Sequence, residues 1–112
     1  MQIAERAAGN VKVLDLSGQI TFTQGDLQFK DKINSLVHQG HKNILVNLAN
    51  VTHVDSAGLG ELVGAYSTVT KAGGSMKLIG LTRKLHDLLA ITKLLTIFDT
   101  YDSESEALKQ FN

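Results

Sequence analysis

The sequence predicts an α/β fold: a small mixed, mostly parallel β-sheet with an N-terminal antiparallel hairpin strand, packed by about four helices. Three observations carry this. From residue 26 onward, short β-branched runs alternate with stretches of 3.6-residue apolar period, the pattern of parallel strands joined by helices. Before that, two strand-like runs are separated only by Gly9-Asn10, both of which tolerate positive φ, the usual signal of a tight hairpin. Proline is absent from all 112 residues, so no helix or strand assignment meets a breaker.

Taken in order, IAERAA (3–8) and VKVLDLSG (11–18) form the hairpin, and Val11, Val13, Leu14 and Leu16 suit a strand covered on both faces. QITFTQGD (19–26) is polar and reads as a turn. Phe29, Ile33, Leu36 and Val37 recur on one face of a helix from Asp26 to Gln39, which Gly40 stops. NILVNLAN follows, its core Ile44–Leu48 nearly continuous, as in a strand buried on both sides. A second helix carries Leu59, Leu62, Val63, Tyr66 and Val69 in one stripe and ends at Gly73-Gly74. MKLIGL is another buried strand. TRKLHDLLAI is a helix capped by Thr82, with Leu85, Leu88 and Leu89 facing the core. LTIFDTY (95–101) reads as an edge strand, and SESEALKQF as a short helix with acids in its first turn. The predicted order is ββαβαβαβα, in a single domain spanning residues 1–112 without repeat or linker.

Bulk properties exclude several function classes. Eleven basic and eleven acidic residues balance to zero, without the basic surplus of a nucleic-acid binder. No Cys is present, which removes disulfide and thiolate chemistry. The start, MQIAERAAG, puts a charge pair where a signal peptide needs its apolar segment, and no apolar run is long enough to span a bilayer. The expectation is a cytoplasmic protein with no membrane or direct nucleic-acid partner and no cofactor.

The stretch HVDSAGLGEL (53–62) sets an acid, a hydroxyl and two glycines between apolar runs. Either Asp55 or Ser56 can cap the helix that follows, since both side chains accept from the first-turn N–H groups. If Asp55 caps, Ser56 is left free near the surface. A nucleophile elbow is disfavoured, because it requires glycine two residues before the serine and Val54 stands there. His53 and Asp55 are too close in sequence to converge on the Ser56 hydroxyl, and His86 reaches it only through the fold. GLGELVG resembles a dinucleotide fingerprint, but its third glycine, Gly64, comes one residue late. His38 and His41 share an H-x-x-H spacing across a glycine with no third ligand, so no metal site is expected.

Gly60, Gly64, Ser67 and Lys71 line a stripe beside the apolar one. Glycine inside a helix costs roughly 1 kcal/mol relative to alanine, so two of them imply close backbone approach. Tight internal packing and a flat surface for a partner both answer that need, and the sequence leaves both open.

With these elements in place, the chain resembles a STAS domain, and within that family the bacterial anti-sigma factor antagonists. The residues that carry the resemblance are ILVNLANVTHV, then DSAGLGEL, a helix ending KAGG, MKLIGLTRKLHDLLAIT, and FDTYDSESEAL, essentially the whole chain. The family signature Asp-Ser-(Ser/Thr)-Gly-Leu-Gly matches positions 55–60 at all but one place. The resemblance implies that Ser56 is phosphorylated by a serine kinase of the histidine-kinase-like ATPase fold, which is itself the anti-sigma factor. It also implies that the unphosphorylated form binds this kinase and frees the sigma factor, and that a serine phosphatase reverses the modification. Asp55, Ser56, Ala57, Gly58, Leu59, Gly60, Gly64 and Ser67 are then the expected partner-binding residues, and Gly58 and Gly60 are expected to shape the loop. No catalytic role is implied.

Two departures from the family pattern stand out. Ala57 replaces the usual second hydroxyl, and GQIT at 18–21 replaces a Gly-Glu-(Leu/Ile)-Asp run, so Gln19 and Thr21 stand where acids are common. That loop lies near the phosphorylation site in the family. A second reading keeps the fold but drops obligatory phosphorylation, making the chain a scaffold or accessory subunit of a signalling or transport assembly.

Overall fold

The computed structural model describes residues 1–21 and 26–111. Its elements follow the predicted order: β1 (Gln2–Ala8), β2 (Val11–Ile20), α1 (Asp26–His38), β3 (Asn43–Val54), α2 (Ser56–Lys71), β4 (Ser75–Ile79), α3 (Arg83–Ile91), β5 (Asp99–Tyr101) and α4 (Glu104–Leu108). The five strands lie side by side in sequence order. β1 pairs antiparallel with β2 across the Gly9-Asn10 hairpin, and every later pairing is parallel.

Strand alternation divides the core into two layers. Leu14 and Leu16 of β2, Ile44, Val46 and Leu48 of β3, and Met76 and Leu78 of β4 face α1, α2 and α3 in the main core. Phe29, Ile33 and Leu36 come from α1, Leu59, Leu62, Ala65 and Val69 from α2, and Leu85 and Leu89 from α3. The opposite face carries Val11, Val13, Leu45 and Ile79, covered by Ala107 of α4 with Tyr101, Leu108 and Phe111 around it. β3 is therefore buried on both sides, as its nearly continuous apolar run predicts. α1 and α2 end alike. His41 N–H donates to Leu36 O and Gly40 N–H to Val37 O; Gly74 N–H donates to Val69 O and Gly73 N–H to Thr70 O. These are paired C-terminal bonds that place Gly40 and Gly73 at positive φ (91° and 82°).

The second face also buries a charge. Lys77 is only 6% exposed, yet its Nζ lies 3.1 Å from Asp99 and 5.8 and 5.4 Å from the ring centres of Tyr101 and Phe111. A buried ammonium persists only with such partners. At the other edge of the sheet, Arg6 of β1 joins three elements: its Nε is 2.6 Å from Asp15 of β2 and its Nη2 is 2.6 Å from Glu104 of α4. Asn47 donates to Asp15 at 2.9 Å. The Arg6 guanidinium holds both carboxyls below their ordinary values. A carboxyl whose pKa is depressed on folding contributes stability above its unfolded pKa and loses it as pH falls through the folded one. Acidification below the ordinary carboxylate range should thus loosen α4 first. Arg6→Ala should lower stability by about 1 kcal/mol or less, given how exposed the cluster is. It should also flatten the acid limb of a urea-denaturation series run against pH.

Three elements differ from the sequence expectation. β2 runs on to Ile20, so Gln19 and Ile20 are strand rather than turn, and the bend at Thr21 is buried; residues 22–25 of that predicted turn lie outside the described residues. β3 runs past NILVNLAN to Val54, the extent of the run ILVNLANVTHV that carries the family resemblance, because Ser17, Gly18, Gln19 and Ile20 pair with Asn50, Val51, His53 and Val54 across two register shifts. LTIFDTY is strand only at Asp99–Tyr101; before it Leu94–Thr96 form a 3₁₀ turn. Phe98 packs there edge-on against Tyr66 of α2, with ring centres 5.5 Å apart.

Candidate functional site

β2 and β3 end together, with Ile20 opposite Val54, and α2 begins two residues later. Asp55 is extended (φ −94°, ψ −176°), and its Oδ1 accepts the Gly58 N–H at 2.8 Å. Its carbonyl accepts the Leu59 N–H at 2.8 Å, while its own N–H donates to Ile20 O at 3.3 Å. Asp55 is thus the N-cap, and Ser56 is the first helical residue, exposed and not used as the cap.

The two motif glycines have opposite surroundings. Both lie inside α2 rather than in a loop. Gly58 is buried, and a Cβ there would fall 1.8 Å from the carbonyl oxygen of Ile20; its role is internal, letting the helix start against the end of β2. Gly60 and Gly64 are exposed, and a Cβ on either meets nothing within 4 Å. Internal packing therefore does not account for them. They floor a small notch of about 160 Å³ between α1 and α2, walled by Lys30, Asn34, Glu61 and Thr68. Ala57 and Ser67 are half-buried.

On its other side Ser56 opens onto a groove of about 610 Å³, lined by His53, Val54, Asp55, Leu59, Gly60, Val63, Leu88, Thr92 and Leu94. Its walls are mostly apolar, and among the described residues its ionisable lining groups are Asp55 and His53. A second groove of about 390 Å³ shares His53, Val54 and Leu88 with it and reaches Ile91, which is 80% exposed. The sequence reading did not single out His53, Val54, Leu88 and Ile91 as lining a groove; Leu88 packs against the core as expected but is only partly covered there. The available signal was in α3, where Leu88 and Ile91 form an apolar pair three residues apart, beside the buried Leu85 and Leu89. His86 lies 3.5 Å from Asp87 and lines a different cavity with Arg83, Thr100 and Tyr101, so it does not complete a relay at Ser56. Among the described residues no group of three or more potential metal ligands gathers, and no helix is long and apolar enough to cross a membrane.

The site is thus an exposed serine at the start of a helix, behind an aspartate cap and before a Gly-Leu-Gly run. A model of the STAS domain matches residues 2–107. The chain belongs to the STAS domain family. Its STAS fold also resembles that of SpoIIAA, an anti-sigma factor antagonist of Bacillus. SpoIIAA's unphosphorylated and phosphorylated structures each superpose with a TM-score of 0.74 at 19% identity, covering 97% of this chain and 96% and 98% of theirs. In sequence, this STAS chain is 27% identical to the anti-sigma F factor antagonist of Paenibacillus polymyxa, over 98% of its own length and 94% of the relative's. It is 35% identical to the anti-sigma-B factor antagonist of Bacillus subtilis, over 77% of each chain.

Proposed function

We propose that this STAS domain is a non-enzymatic anti-sigma factor antagonist of the cytoplasm. Its unphosphorylated form binds a serine-kinase anti-sigma factor of the histidine-kinase-like ATPase fold and so releases the sigma factor. Phosphorylation of Ser56 by that kinase turns binding off, and a serine phosphatase restores it. The observation that carries this reading is the division of labour at the helix entry: Asp55 caps α2, so the Ser56 hydroxyl is left exposed beside an apolar groove. The names of the relatives and the existence of SpoIIAA in a phosphorylated form support it.

The physics of the switch follows from the lining. A partner that dries the groove must cover Ser56. A phosphate adds about −1.5 to −2 charges there, beside Asp55, and its desolvation opposes docking. The N-terminus of α2 tolerates the anion within the domain, so the modification blocks contact without unfolding anything. Incubation with the serine-kinase anti-sigma factors of the source genome and ATP, followed by peptide mapping, should place one phosphate on Ser56. Phosphate on another residue, or none with a kinase active on its own substrate, would sink the switch.

Gly60 and Gly64 extend the docking surface along α2. Gly60→Ala and Gly64→Ala should each stabilise the isolated domain by up to about 1 kcal/mol, since the added methyl meets open space and neither glycine needs positive φ. The same variants should weaken the anti-sigma complex. A chemical-denaturation midpoint that rises while affinity falls is the expected pair of results; a rise in both would assign the glycines no part in docking.

A further inference from the structure

We infer that His53 is the internal counter-charge of a phosphate on Ser56, and that the pair seats the phosphate across the mouth of the groove. The inference rests on the proposed modification of Ser56. His53 is the penultimate residue of β3, three residues before Ser56; both residues are exposed, and both line the same groove. Among the described residues no lysine or arginine lines that groove, and His53 is the one group there that can carry a positive charge. The other polar resource is the start of α2, where the Asp55 carboxylate already accepts the Gly58 N–H.

The pairing is a matched titration. A phosphoserine loses its second proton near pH 6 and a histidine near 6.5, in round figures. Opposite charges favour each other, so a protonated imidazole facing the phosphate lowers the pH at which the phosphate takes its second negative charge. Other charges also face these groups. Asp55 flanks Ser56, and Lys84 and Asp87 of α3 line the adjoining groove with His53. Gln19, opposite His53 on β2, is uncharged. Neither Lys84 nor Asp87 lines the Ser56 groove.

The test is a ³¹P NMR titration of the full chain with phosphoserine incorporated at position 56 by genetic encoding, as wild type and as His53→Gln. The phosphate midpoint should lie about 0.5 pH lower in wild type than in the variant, the size expected for facing charges at a hydrated surface. The His53 ring resonances should titrate at higher pH in the phosphorylated than in the unmodified protein, and both differences should shrink in about 1 M salt. The same comparison on an Asp87→Asn background should preserve the phosphate difference; its loss there would assign the His53 proton to Asp87 and overturn the pairing. Equal phosphate midpoints in wild type and His53→Gln would overturn it directly. Because the phosphoserine is installed without a kinase, this result is independent of whether any kinase modifies Ser56. An unmoved midpoint removes only the His53 pairing, whereas failure of kinase labelling removes the switch itself.

Discussion

Gly58→Ala should cost the domain about 3 kcal/mol or more, a loss in the range reserved for forced overpacking of a rigid site. The ideal Cβ would stand 1.8 Å from Ile20 O and 2.6 Å from Ile20 C, and neither atom can move aside alone. The Ile20 carbonyl accepts the Asp55 N–H, and the Ile20 side chain is fully buried. α2 cannot retreat either, because Leu62 and Val69 are fully buried further along the same helix. Domains of this size have roughly 5–15 kcal/mol in all, so the variant should show a sharply lowered urea midpoint or fail to fold. A midpoint within about 0.5 kcal/mol of wild type would mean that α2 does not start where described. The contrast with Gly60→Ala, two residues on and expected to stabilise, makes the pair informative. The two changes are chemically identical and differ only in what the methyl meets.

Ser56→Asp should lower affinity for the anti-sigma factor by at least about tenfold, or 1.4 kcal/mol, and leave the thermal midpoint close to wild type. One carboxylate carries less charge than a phosphate and sits closer to the backbone, so this effect is a lower bound on the phosphate's. Ser56→Ala should bind as wild type does but resist the kinase, since the hydroxyl makes no capping bond that the methyl would forfeit. Loss of binding in Ser56→Ala, or retention in Ser56→Asp, would argue that the serine acts through something other than charge at a dry surface. Full biological function of Ser56→Ala would favour a scaffold role for the domain.

Most of the fold was legible because its signals are periodic. The stripe Phe29, Ile33, Leu36 and the run Ile44–Leu48 each match one template and occupy the core as expected. Where the pattern was short, length could not arbitrate. LTIF is apolar enough for a strand, but Leu94 and Leu95 pack half-buried in a 3₁₀ turn and only Phe98 is fully covered. Periodicity did not reach the ends of β2 and β3 for a different reason, and only the family resemblance carried β3 through ILVNLANVTHV to Val54. Gln19, Thr52 and His53 are polar, and their strand geometry comes from pairing with each other's strand after register shifts, which is a property of two segments at once.

The candidate site divides in the same way. That Asp55 or Ser56 caps α2 was readable from residue type; which of them does so depends on backbone geometry, since both side chains are competent. Gly58 stood out as a glycine, but its reason is a carbonyl 38 positions earlier, at Ile20. Gly60 and Gly64 were readable as a stripe, and only the surrounding space separates packing from exposure. The α3 wall of the groove was least visible, because Leu88 and Ile91 look like core residues until the sheet shows that Leu85 and Leu89 fill that place.

The central claim is that a phosphate on Ser56 abolishes docking and leaves the fold intact. Its most direct measurement is a calorimetric titration of the purified serine-kinase anti-sigma factor, with ADP, against the unmodified protein and the protein phosphorylated at Ser56, alongside their circular-dichroism melting curves. The account predicts binding by the unmodified form, a loss of about a hundredfold or more on phosphorylation, and superimposable spectra. Equal affinities for the two forms, or a phosphorylated form that fails to bind only because it has unfolded, would contradict it.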